Sequence, residues 1–196
     1  MKQNKSIVVT HAVKEEFVSV EAAGFETEHL YTGVGKTKSA CLLAKHIGQA
    51  KPDLVLNIGT AGTLKHKVGD IFVSTHFIDR DYESIRLPGL EHEIDCSHLL
   101  QTNESLFQWI GRYEKNGICN TGDSFVTTSE KIMGDVIDME AYAQAFVCQE
   151  FNVPFIAVKY VTDIIGQNSV ELWESRLEEA RNKLGEWLAT CDLLSN

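Results

Sequence analysis

The sequence predicts an α/β layered fold. Short β-branched runs alternate with longer segments whose apolar residues recur at helical spacing, from Ser6–Thr10 to Ser169–Thr190. Leu54–Ile58 (LVLNI) is apolar almost throughout, which suits a strand covered on both faces. The 196 residues fit one domain, 1–196, and no Pro/Gly/Ser-rich linker or internal repeat divides them.

Ser6–Thr10 (SIVVT) reads as the first strand, followed by a turn into a charged helix, Lys14–Glu21. Thr27–Thr32 is a second strand. Lys36–Ala50 carries Ala40, Leu43, Ala44 and Ile47 at helical spacing. Leu54–Ile58, between Pro52 and Gly59, is the central strand, and Gly69–Ile78 the next. Residues 80–102 are polar and read as irregular, with a turn at Pro88-Gly89. Ser105–Tyr113 is a short helix, Gly117–Asn120 and Val136–Asp138 brief strands, Met139–Phe151 a helix and Phe155–Val161 the last core strand. Ser169–Thr190 aligns Leu172, Trp173, Leu177, Ala180, Leu184, Trp187 and Leu188 in one apolar stripe, the pattern of a core-facing helix.

Composition excludes several functions. The net charge is −10, with 18 Lys and Arg dispersed among 28 Asp and Glu, so a polyanionic partner such as nucleic acid is not expected. No apolar run reaches the ~20 residues of a membrane span, and the start lacks the apolar segment of a signal peptide. The five cysteines are odd in number and scattered, without a CxxC pair, which suggests reduced thiols in a cytoplasmic protein and no zinc site. A small neutral or zwitterionic ligand is compatible with this charge. Neither metal nor cofactor is expected.

Gly33-Val34-Gly35-Lys36-Thr37 approaches a phosphate loop, but Leu30 stands where that loop needs its first glycine. A tight strand-to-helix turn is the better reading of the two glycines. No G-x-G-x-x-G follows the first strand, so a dinucleotide site lacks its main support.

Three carboxylate segments fall near the ends of expected strands, where ligands bind in α/β sheets. Asp163, held between Val161 and Ile164-Ile165, should resist ionising and is a candidate general acid; a turn-capping aspartate is the plain alternative. Glu140 could equally be a first-turn acid favoured by the helix dipole, and Glu15 and Glu16 a solvated helix face.

The segments AVKEEF (12–17), TGVGK (32–36), LNIGTAGTLKHKVGDIFVS (56–74), RLPG (86–89), TGDSFV (121–126), IDMEAYAQAFVCQEFNVPFIAVKYVTD (137–163) and the closing helix resemble the purine nucleoside phosphorylase superfamily. The closest likeness is to its methylthioadenosine/S-adenosylhomocysteine nucleosidase branch. The segments stand in family order over nearly the whole chain. The resemblance implies a three-layer α/β/α domain around a central mixed twisted sheet, and hydrolysis of a purine nucleoside with release of adenine. By position, Asp163 matches the acid that protonates purine N7, Glu140 the carboxylate on the ribose hydroxyls, and Glu16 the base that activates water. Glu16 is preferred to Glu15 on register alone. Met139 matches the residue under the ribose, and Phe125 and Val126 those that stack on and hydrogen-bond the purine. Thr60 matches a hydroxyl residue beside sugar and water, with Ala61 and Gly62 keeping that loop low.

Thr162 and Lys159 depart from the family's serine and arginine, and the early hairpin and the stretch between Glu130 and Val136 are trimmed. The resemblance also implies a homodimer, with the segment around Leu87-Pro88 reaching the partner's 5′ pocket. Phosphorylases of the superfamily clamp phosphate with arginines near the first strand. This chain has no Arg before Arg80 and places two glutamates there, which favours water as nucleophile. Futalosine hydrolysis, phosphorolysis and a catalytically silent nucleoside-binding module are the alternatives.

Overall fold

The computed structural model describes residues 5–22, 24–85, 87–101, 103–126, 132–167, 169–191 and 193–194. A single mixed sheet runs through it. Strand β1 (Lys5–His11) lies between β2 (Phe25–Tyr31) and β3 (Leu54–Thr63), parallel to both. From β3 onward the sheet closes on itself. β3 pairs with β8 (Phe155–Ile164), β8 with β4 (Ile71–Asp79), β4 with β6 (Asn116–Thr121), β6 with β7 (Val136–Asp138), and β7 with β3 again. Five strands thus form a small barrel-like ring, and β5 (Glu93–Asp95) adds to the outer edge of β4.

Alternation along the strands feeds two cores. On one face Val8, Val55, Phe155 and Ala157 pack against Leu43 and Ile47 of α1 (Lys36–Ile47) and Ala141, Ala145 and Cys148 of α2 (Ala141–Glu150). On the other, Ile7, Val9, Leu54, Leu56, Ile156 and Val158 meet Leu106 and Ile110 of an intervening helix (Glu104–Arg112) and Ala180 and Leu184 of the closing helix (Ser169–Thr190). Neighbouring residues of one strand face opposite layers, so the strands read as continuous apolar runs. The mixed three-layer architecture expected from the sequence is therefore present. No helix among the described residues is long and apolar enough to cross a membrane.

Three local expectations are corrected. The helix expected over Lys14–Glu21 is only a 3₁₀ turn, Lys14–Glu16. Beyond it Val18 and Val20 are buried while Phe17 and Ser19 are exposed, a period-two pattern that lays the chain extended over the second core. Residues 80–102 are more ordered than their polarity suggested. They hold short helices at Arg80–Ile85 and Ser97–Leu100, and β5, in which Ile94 alone is buried. Finally, β3 and β8 run past Ile58 and Val161 to Thr63 and Ile164, so Thr60–Gly62 and Asp163 lie within paired strands and not in loops.

Candidate active site

Where the ring closes, Gly62 of β3 pairs with Ile137 of β7 on one side and with Asp163 of β8 on the other. The β3–β8 register shifts between Ala61 and Gly62, leaving Thr162 as an extra residue on β8. Such a bulge re-aims the side chain that follows it, here Asp163. The ends of β3, β7 and β8 form the floor of a cavity of about 400 Å³, the size of a nucleoside-scale ligand site. Its walls come from the turn after β1, the turn before α1, residues 124–126 and the start of the closing helix. All ten residues expected at a site line it: Glu16, Thr60, Ala61, Gly62, Phe125, Val126, Met139, Glu140, Thr162 and Asp163.

The carboxylates are held in three ways. Asp163, 2% exposed, accepts from the Thr162 hydroxyl at 2.9 Å through Oδ1. Its Oδ2 lies against Gly62, where an added Cβ would stand 3.0 Å from that oxygen and 3.2 Å from Ile165. Glu16 is buried, and Oε1 accepts both the Thr60 backbone N–H at 2.9 Å and the Thr60 hydroxyl at 2.6 Å. Glu15 is exposed, so the structure brings only Glu16 to the cavity. Glu140 precedes α2 and accepts from the Gly35 backbone N–H at 3.0 Å. Gly35 sits at φ +94°, a conformation that favours glycine, and it points its N–H at a carboxylate of the protein itself. Burial, and then the charge of Asp138, push the Glu140 carboxyl up to about 8, against the pull of Lys159 and the Gly35 N–H.

Beneath these groups lies a buried ion pair, Lys159 Nζ to Asp138 Oδ2 at 2.8 Å, with side chains 2% and 1% exposed. Asp138 also accepts from the Thr121 hydroxyl at 2.5 Å and the Ala141 N–H at 2.9 Å. Burial opposes its ionisation, but Lys159 and these donors outweigh burial and hold Asp138 below the usual carboxylate range. Burial likewise opposes the charge on Lys159, and Asp138 restores it. Removing one partner of such a pair leaves an uncompensated charge. Lys159→Met should therefore destabilise the fold by about 3–5 kcal/mol, measured as a lowered denaturation midpoint.

The polar cluster His76, Asp79, Arg80 and Asp81, at and beyond the end of β4, does not line the cavity. Part of it braces the wall instead. Lys36 Nζ contacts Asp79 at 2.8 Å and Asp81 at 2.7 Å, while Arg80 donates to the carbonyl of Ser124, beside Phe125, at 2.6 Å. His11 is fully buried and stacked on His29; burial, and then His29, push its imidazole down to about 4, so it is neutral. Asp138 and Trp173 are among the cavity residues that the sequence did not single out. Asp138 is adjacent to Met139-Glu140, and no periodicity separates it from them. Trp173 belongs to the apolar stripe of the closing helix, yet it lines the cavity and donates its indole N–H to the Thr60 hydroxyl at 2.8 Å. Even a half-buried indole N–H needs a partner, and that is the available signal.

Comparisons with known proteins place the chain. The family model of the phosphorylase superfamily matches residues 9–191. A 5′-methylthioadenosine/S-adenosylhomocysteine nucleosidase of Bacillus velezensis is 31% identical over 199 residues, covering 92% of this chain and 85% of the relative. One of Bacillus licheniformis is 33% identical over 184 residues, covering 84% and 80%. Among solved structures, the Helicobacter pylori nucleosidase of this name, complexed with a pyrrolidine ligand, superposes with a TM-score of 0.78 at 21% identity, over 96% of this chain and 98% of that one. The futalosine hydrolase of Helicobacter pylori gives 0.77 at 21%, over 95% and 96%. The chain belongs to the phosphorylase superfamily, in its 5′-methylthioadenosine/S-adenosylhomocysteine nucleosidase branch.

Proposed function

We propose that the chain hydrolyses the N-glycosidic bond of a purine nucleoside, releasing adenine from a 5′-thio nucleoside such as 5′-methylthioadenosine or S-adenosylhomocysteine. One observation carries the choice of water over phosphate. The cavity is lined by four carboxylates, Glu16, Asp138, Glu140 and Asp163, and among the described residues by no Lys or Arg. A phosphate nucleophile needs paired cationic donors, and the described lining offers none.

In this reading Asp163 gives its proton to N7, so that the base leaves as a neutral purine. Glu140 accepts from the ribose 2′- and 3′-hydroxyls; the forming cation favours its ionised form, whose charge balances the oxocarbenium-like sugar as the bond breaks. Glu16 keeps Oε1 on Thr60, and Oε2 takes the proton of the water that attacks C1′ from the opposite face. The Phe125 ring packs on the purine, the Val126 backbone reads its edge, and Met139 lies under the ribose. Tyr82, Ile85 and Leu87 are exposed apolar side chains, which supports pairing of two copies through that segment. A cytoplasmic setting goes with five cysteines that are odd in number and scattered along the chain.

Gly62→Ala tests the acid's placement without touching its chemistry. The new Cβ displaces Oδ2, and kcat should fall by about 10–100-fold, since sub-ångström misplacement is costly in catalysis. The reading as a whole is tested by base release from methylthioadenosine, S-adenosylhomocysteine, adenosine, inosine and futalosine, each with and without phosphate. Phosphate-independent adenine release from the thio nucleosides is expected. Dependence on phosphate would make the chain a phosphorylase, and binding without release would make it a silent binding module.

A further inference from the structure

The closing helix touches the site at two points three residues apart. Trp173 donates to the Thr60 hydroxyl on β3, and the Arg176 guanidinium donates to the carbonyl of Thr162 on β8. These are the two strand ends that carry the residues around Glu16 and Asp163. The other side of the indole lies edge-on to Phe125, with ring centroids 6.4 Å apart, so the same ring also closes the cavity wall.

We infer that Trp173 is a positioning residue for the base: its indole N–H sets the direction of the Thr60 hydroxyl, which in turn holds Glu16. The argument follows from donor and acceptor inventory. An indole N–H can only donate, whereas a hydroxyl rotates and can do either. Facing Trp173 at 2.8 Å, the Thr60 oxygen must accept, so its one proton turns to Glu16 Oε1 at 2.6 Å. The Thr60 backbone N–H reaches the same oxygen at 2.9 Å. Two donors therefore occupy Oε1, and proton transfer is confined to Oε2. Without the indole N–H the hydroxyl can rotate away, and the carboxylate loses one of the contacts that fix its plane. The role rests on the hydrolytic reading above, because only a general base needs one oxygen committed and the other open.

Trp173→Phe keeps a ring against Phe125 and removes the N–H. Its kcat should fall roughly 10–100-fold, the worth of one hydrogen bond in a charge-assisted chain, while KM changes less than about three-fold. Thr60→Val should lose at least as much, and Thr60→Ser should recover most of that loss. Adding Trp173→Phe to Thr60→Val should cost little more, because the N–H acts through the hydroxyl. Full multiplication of the two losses, or a wild-type kcat in Trp173→Phe, would overturn the relay. The indole N–H resonance of Trp173 in nitrogen-15 spectra supplies a reading independent of turnover. It should move when Thr60 becomes Val, and an unmoved resonance would also overturn it. A native chain that releases no base from any nucleoside removes the hydrolytic reading itself, whatever the resonance does.

Discussion

Replacing Asp163 with Asn should lower kcat by about three orders of magnitude while leaving KM within a few-fold of the native value. Asparagine matches the aspartate in shape, so it can stay between Gly62 and Thr162 and keep the bulge of β8 intact. What it cannot do is deliver a proton to N7. That proton matters only as the glycosidic bond breaks, when the purine would otherwise depart as an anion. Ground-state binding therefore survives and turnover does not. Calorimetric titration with a nucleoside, alongside steady-state adenine release, separates the two. Loss of both together would show that Asp163 holds the bulge and is not the acid.

Glu140→Gln should cut kcat/KM by about 10³-fold and yet stabilise the empty protein at alkaline pH. The activity loss follows from removing the charge opposite the forming cation. The stability gain follows from linkage. An unfolded glutamate titrates near 4.5, whereas the folded Glu140 keeps its proton until about 8 because burial and Asp138 oppose its charge. Between those values the folded state holds more protons than the unfolded state, so native stability declines as pH rises through that window. Glutamine removes this dependence. The variant should match the native protein near pH 4.5 and exceed it at pH 8 by on the order of 4 kcal/mol, read from denaturant midpoints at the two pH values. Parallel stability curves across that range would contradict the assignment. The two effects together describe a residue kept for function at the expense of stability.

Much of this arrangement is legible in the residues themselves. The closing helix occupies Ser169–Thr190 as its 3.6-residue stripe requires, and Leu54–Ile58 and Phe155–Val161 are central strands because both of their faces are apolar. The ten residues singled out by motif and resemblance all reach one cavity. What escaped has local causes. Lys14–Glu21 looks helical through its charges, but two buried valines spaced by two decide its conformation. β5 is an edge strand of three residues with only Ile94 facing inward, too short for any period to show. The strands overrun their apolar cores because a ring of five must close, and β7 offers only Val136–Asp138 to do it. Trp173 satisfies the apolar stripe and the site at once. A period sees the ring and misses the N–H.

The most direct test is the fate of the water oxygen. Single-turnover reaction of methylthioadenosine in oxygen-18 water, in phosphate-free buffer, should yield adenine and a sugar carrying the label on its C1′ hydroxyl. Sugar formed only as a 1-phosphate on addition of phosphate, or no base release at all, would contradict the account.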